Sequence, residues 1–150
     1  MSDAENLPAA FASIVEDFNA VSSRDRIQML LDFSQTLPEL PERFADHPEL
    51  LEGVPECQSP IFLTTEVEGA GHDAVVHLYF SAPMEAPTTR GFAGILHEGL
   101  DGLTAREVLA IPADVSHRLG LAEAISPLRL RGMAGMLGRI KRQVREKSAA

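Results

Sequence analysis

Near the start of the chain, apolar residues recur at the spacing of one helical face. Phe11, Ile14, Val15 and Phe18 follow Pro8, a residue tolerated in a first turn, and predict an amphipathic helix over about 8–20. Ser22 or Ser23 then caps a second helix with Ile27, Leu30 and Leu31 on its apolar face, ending before Pro38. The two helices are expected to form an antiparallel hairpin.

Between Leu37 and Pro60 the pattern breaks. Pro38, Pro41, Pro48, Pro55 and Pro60 deny this stretch a long helix or a central strand, leaving one short helical turn at 41–47 and otherwise a loop. Beyond Pro60 the period changes to two. Ile61, Leu63, Thr65 and Val67 alternate with Phe62, Thr64, Glu66 and Glu68, Gly69-Ala70-Gly71 turns the chain, and 74–81 is rich in Val, Tyr and Phe. An antiparallel strand pair follows, with Val76, Leu78 and Phe80 on its core face and Val75, His77 and Tyr79 on the other.

Helical spacing then returns. Phe92, Ile95, Leu96 and Leu100 mark a third helix, and Thr104 with Glu107 forms a capping-box pattern for a short fourth. A further turn at 113–119 ends at Gly120, and Ser126-Pro127 opens a long helix with Met133, Met136, Leu137, Ile140 and Val144 on one face. Helices, a strand pair, then helices, with no βαβ alternation and no internal repeat, predict one α+β domain over 1–150. Helices are expected on one face of a small antiparallel sheet, with fraying at 1–6 and 148–150.

Charge is distributed unevenly. Residues 1–57 carry twelve acids against three bases, 58–125 nine against three, and 126–150 one acid against seven bases. An overall net charge of −9 argues against nonspecific nucleic-acid binding, which relies on neutralising phosphates. The basic last helix has two readings: charges that complement its own dipole, or a docking surface for an acidic protein. No apolar run is long enough for a membrane span, and the opening MSDAENLP is acidic where a secretory signal is basic, so a cytoplasmic protein is expected.

Chemistry is sparse. There is no HExxH, no paired Cys/His metal ligand, no serine elbow and no glycine-rich phosphate loop, and the methionines of the last helix belong to its apolar stripe. Cys57 is the single cysteine, so it can form no internal disulfide and no multi-thiolate metal site. Two readings stand: a small buried hydrophobe, or a reactive thiol on a proline-flanked loop. None of His47, His72, His77, His97 and His117 is placed by sequence beside it, although a favourable register would bring His77 towards the base of the loop. Glu56 adds a negative charge next to the thiol and disfavours the thiolate, which predicts a protected thiol activated by a partner.

Cys57-Gln58-Ser59 leads into the strand Ile61-Phe62-Leu63. It follows Leu37-Pro38-Glu39-Leu40 and precedes Gly91-Phe92-Ala93-Gly94-Ile95-Leu96. The closing run extends from Leu119-Gly120-Leu121 through Ser126-Pro127-Leu128-Arg129 to Gly132-Met133, Met136-Leu137 and Ile140-Lys141. In that order and spacing the chain resembles, from about Val15 to Lys147, the SufE family of sulfur-acceptor proteins in iron–sulfur cluster biogenesis. The resemblance implies an α+β fold similar to that of iron–sulfur scaffold proteins. It also implies that Cys57 accepts sulfane sulfur from a cysteine desulfurase of the SufS type, stimulates that enzyme, and passes the sulfur towards a scaffold.

The donor would use pyridoxal phosphate, and this chain would bind no cofactor and turn nothing over alone. A rhodanese-type sulfurtransferase is a conceivable second donor. By the same resemblance Arg129 lies near the cysteine loop, stabilising the thiolate or contacting carbonyls or carboxylates, Glu56 among them; the alternative is an ordinary surface arginine. Gln58 and Ser59 are expected to position the loop through side-chain hydrogen bonds. Glu56 stands where many members have glycine, so a glycine-only backbone is not required there. Two competing classes remain: a noncatalytic docking module, and a redox-sensing thiol.

Overall fold

The computed structural model describes residues 7–149, so the fraying expected at 1–6 lies outside the described residues. Helix α1 spans Ala9–Asn19 after Pro8 and buries Phe11, Ile14, Val15 and Phe18, the face its spacing predicts. Helix α2 spans Ser23–Thr36, and the Ser22 hydroxyl accepts from the Asp25 amide. Its inward face is turned one position from the expected one. Ile27 is exposed, and Arg26 is buried beside Leu30. The Arg26 guanidinium donates to the carbonyls of Phe18 and Gly120 and pairs with Glu123 at 2.7 Å, which satisfies a charge that burial would otherwise penalise.

Helix α4, Pro87–Leu100, is the centre of the helical layer. Instead of packing chiefly on each other, α1 and α2 both lie on α4, and they touch where the Phe18 and Phe33 rings stack 5.9 Å apart. The α2–α4 approach is backbone-close. A Cβ on Gly91 would stand 2.4 Å from the Leu30 carbonyl oxygen, and one on Gly94 would stand 2.3 Å from that of Phe33.

The sheet has three antiparallel strands in the order β1 (Glu52–Gly53), β2 (Phe62–Glu68), β3 (Val75–Ser81). In the β2–β3 register Leu63 faces Phe80, Thr65 faces Leu78 and Val67 faces Val76, so these side chains share the core face, as the alternation predicts. Strand β1 is absent from the sequence reading. Two residues between prolines carry no period, and only its pairing of Glu52 with Leu63 and Gly53 with Phe62 defines it.

The short helices α5 (Ala105–Leu109) and α6 (Val115–Arg118) lead to α7 (Pro127–Ser148). The capping box of Thr104 and Glu107 is formed, and Gly120 takes the left-handed conformation past α6, with φ 71°. Helices α4 and α7 cover the core face of the sheet. The one-turn α3 (Glu42–Ala45) reaches the other face, where Phe44 meets Tyr79 and Arg43 pairs with Glu66.

The sheet is covered where β2 runs past β1 and along the outer edge of β3. Past the end of β1, the Thr65 amide donates to Gln143 Oε1 on α7 at 2.9 Å, and Lys147 donates to the Thr65 carbonyl. On the outer edge of β3, Leu78 donates to Asp101, and Val76 exchanges backbone hydrogen bonds with Gly102 and Leu103.

Candidate functional site

The stretch holding the cysteine is the loop of the β1–β2 hairpin. The Val54 amide donates to the Ile61 carbonyl at 3.0 Å, one step beyond the Gly53–Phe62 pair, and both side chains are buried. Inside that base Pro55–Cys57 forms a single 3-10 turn, with the Cys57 amide donating to Val54 and the Gln58 amide to Pro55, both at 3.1 Å. Gln58 then reverses the chain at φ 58°, the one positive φ at a non-glycine among the described residues. The prolines announced a loop; they did not announce that a hairpin closes it.

The turn lies on α7, at two glycines three apart. Gly132 lies under the thiol: Sγ donates to the Gly132 carbonyl at 3.6 Å, and a Cβ at that position would sit 3.0 Å from Sγ. Gly135 lies under Glu56, whose Oε2 would be 2.8 Å from an added Cβ. Arg139, one turn further along, donates to Glu56 Oε2 at 2.7 Å and to the Gly135 carbonyl at 3.1 Å. Glu52 completes the group, hydrogen-bonded by Arg142 and by Gln143.

Cys57 is half-buried, with its sulfur against the core. Burial pushes the thiol up to about 11, and the neighbouring Glu56 charge adds to that against a smaller opposing effect of Arg139. The hydrogen bond from Arg139 holds the Glu56 carboxyl below its ordinary range, so the acid beside the thiol is charged at neutral pH. A neutral, sheltered thiol results. On its open side lies a cleft of about 430 Å³ lined by Cys57, Gln58, Ser59, Thr88, Leu128 and Arg129, among others.

The sequence-predicted residues are therefore together, but in altered roles. Arg129 shares the cleft with Cys57, where its guanidinium donates to the Thr88 hydroxyl at 3.3 Å, and the partner of Glu56 is Arg139 instead. The side-chain hydrogen bonds expected of Gln58 and Ser59 are absent among the described residues; Gln58 shapes the loop through its backbone. His77 lies away from the thiol, 3.5 Å from both Glu68 and Asp101, and no histidine lines the cleft. Arg139, Gly132 and Gly135 were the residues the sequence reading left without a site role. A helix with glycines three apart signals a backbone approached closely, which was the available clue. Among the described residues no group of three His, Cys, Asp or Glu side chains could hold a metal ion, and no helix is long and apolar enough to cross a membrane.

Comparison with known proteins decides the family. The profile of the SufE family, described as an Fe-S metabolism associated domain, matches residues 12–144. This chain belongs to the SufE family. A SufE-like protein of Mycobacterium tuberculosis is 51% identical over 146 residues, covering 97% of this chain and 99% of that one. The SufE-like protein 1 of Arabidopsis thaliana, named chloroplastic/mitochondrial, is 28% identical over 134 residues, which are 89% of this chain but 34% of the plant protein. A hypothetical protein from Thermus thermophilus, solved in solution, superposes with a TM-score of 0.80 at 38% identity, over 94% of this chain and 97% of that one. The chain thus carries a SufE domain associated with Fe–S metabolism in an α+β fold.

Proposed function

We propose that this SufE-family protein is a persulfide carrier that takes sulfane sulfur from a cysteine desulfurase onto Cys57, stimulates that enzyme, and delivers the sulfur for iron–sulfur cluster assembly. The supporting observation is the setting of the thiol: the single cysteine lies in a hairpin loop, held neutral against α7, next to an open cleft. With the thiol at about 11, roughly one molecule in ten thousand is ionised at pH 7. Such a thiol is inert alone and becomes a nucleophile when the loop leaves its apolar bed.

The chemistry needs one sulfur on this chain. Cys57 loses its proton on docking, and its thiolate attacks the outer sulfur of the donor cysteine's persulfide. A new S–S bond forms at Cys57 as the donor's S–S bond breaks, and the donor cysteine leaves as a thiolate that is reprotonated. The sulfane sulfur keeps its oxidation state, so neither oxidant nor reductant is consumed. Attack by an iron–sulfur scaffold's thiolate on the persulfide repeats the same exchange.

Incubation with a desulfurase and cysteine, followed by intact mass measurement, tests this reading. One added sulfur atom on the wild type and none on Cys57→Ser is the expected result, with desulfurase turnover stimulated by the wild type alone. Full stimulation by Cys57→Ser would instead make the chain a docking module without sulfur transfer.

A further inference from the structure

The carrier reading asks what holds the loop closed, and although the turn packs closely on α7, its polar contacts with that helix are few. Cys57 itself offers α7 one long sulfur–carbonyl contact at 3.6 Å, and the Gln58 and Ser59 side chains make no hydrogen bond among the described residues. The strong contact between the turn and the helix is the Glu56–Arg139 ion pair at 2.7 Å.

Arg139 is arranged for that contact. Its Nη1 is aimed by a second hydrogen bond to Gly135 on its own helix, and Gly135 lacks the Cβ that would collide with the Glu56 carboxylate. Glu52 does not substitute for Glu56. Its Oε2 pairs with Arg139 Nε only at 3.5 Å and without a hydrogen bond, while its Oε1 accepts from Arg142 and Gln143. When the turn lifts, Arg139 loses its one hydrogen-bonded carboxylate in a setting where its side chain is only 21% exposed.

We propose that Arg139 is a positioning residue for Cys57: by gripping the adjacent Glu56 carboxylate it clamps the hairpin loop onto α7, and the thiol becomes reactive only when this ion pair parts. The clamp rests on the reading of Cys57 as the reacting group. It acts through Glu56 and touches no reacting atom.

Alkylation of Cys57 by iodoacetamide in the isolated protein at one pH tests it: loss of the Glu56 charge favours the thiolate and loss of Arg139 disfavours it, so only release of the loop speeds both variants. Arg139→Ala and Glu56→Gln should each react roughly two- to fivefold faster than wild type, the factor by which a partly exposed ion pair shifts an equilibrium. Arg139→Lys should stay near the wild-type rate, because the charge pair survives. The double variant should react no faster than Glu56→Gln alone, since Arg139 acts through that carboxylate. Added salt should speed the wild type and leave Glu56→Gln unchanged.

Wild-type rates in both single variants would overturn the clamp. So would an acceleration by Arg139→Ala that persists undiminished in the Glu56→Gln background, which would reveal a general loosening of α7. Because the readout needs no donor protein, it separates the two ideas: these rates in a protein that gains no sulfur from a desulfurase would sink the carrier and keep the clamp. The reverse would sink the clamp alone.

Discussion

Cys57 and the two glycines beneath it show how little space the site leaves. Adding a methyl group at Gly132 gives the helix about 1 kcal/mol of intrinsic propensity. It also puts a carbon 3.0 Å from the sulfur, and overpacking of that kind costs about 1–3 kcal/mol. Gly132→Ala should therefore be slightly less stable in urea denaturation and should alkylate faster, because the turn must rise off the helix to admit the methyl. Titration gives a second expectation. The folded thiol ionises near 11 while an unfolded cysteine ionises near 8.5, so between those values the unfolded chain has lost a proton that the folded chain keeps. Stability should fall as pH rises through that window, and Cys57→Ser should remove this part of the slope. The sequence alone supported the protected thiol through Glu56, and the surrounding prolines supported its place on a loop. It did not single out Arg139, which lies 82 positions further along the chain from Cys57 and reads there as one more base on a basic helix.

At the scale of elements, periodicity was legible wherever one face is buried and the other is not. Helix α1 and the β2–β3 pair appear with the faces expected of them, because each alternates against a single core. Helix α2 departs from its pattern since a satisfied Arg26 buries as well as an isoleucine does once three oxygen partners converge on it. Strand β1 escaped because its evidence is a partner, not a pattern. What completes its edge is a side chain: Gln143 accepts from both the amide and the hydroxyl of Thr65 and donates to Glu52. Gln143→Leu should leave that buried amide without an acceptor and cost about 2 kcal/mol, read as a lowered midpoint in urea. Gly94→Ala should cost more, on the order of 3 kcal/mol, because the atom its methyl meets is a backbone carbonyl that cannot swing aside.

Across the whole molecule, charge asymmetry becomes internal wiring. Of the bases on α7, Arg139 and Arg142 pair with acids of the cysteine hairpin, Lys141 donates to the Ile111 carbonyl, and Lys147 binds the edge of β2. Much of the basic helix thus faces the acidic body of its own chain, a use that neither sequence reading of that helix had included. This arrangement carries a pH signature. Hydrogen bonds from Arg139 and Arg43 hold Glu56 and Glu66 below their ordinary range, and Glu52 is held there by Gln143 and Arg142 although burial pushes it upward. Their stabilisation is complete above the unfolded carboxylate value near 4.3 and should disappear as pH falls through the lower folded values. Urea midpoints measured from pH 7 down to pH 3 should drop, and less steeply in Glu56→Gln.

The Val54–Ile61 hydrogen bond also sets a length. Everything between those two residues can lift while the strands stay paired, and Cys57 is the third residue out from Val54. Three residues drawn fully straight span about 10 Å, which is the farthest the Cys57 backbone travels from the rim of the sheet on this leash. On the carrier proposal, a donor whose cysteine lies much deeper than that below its own surface would have to send the persulfide outward to be emptied.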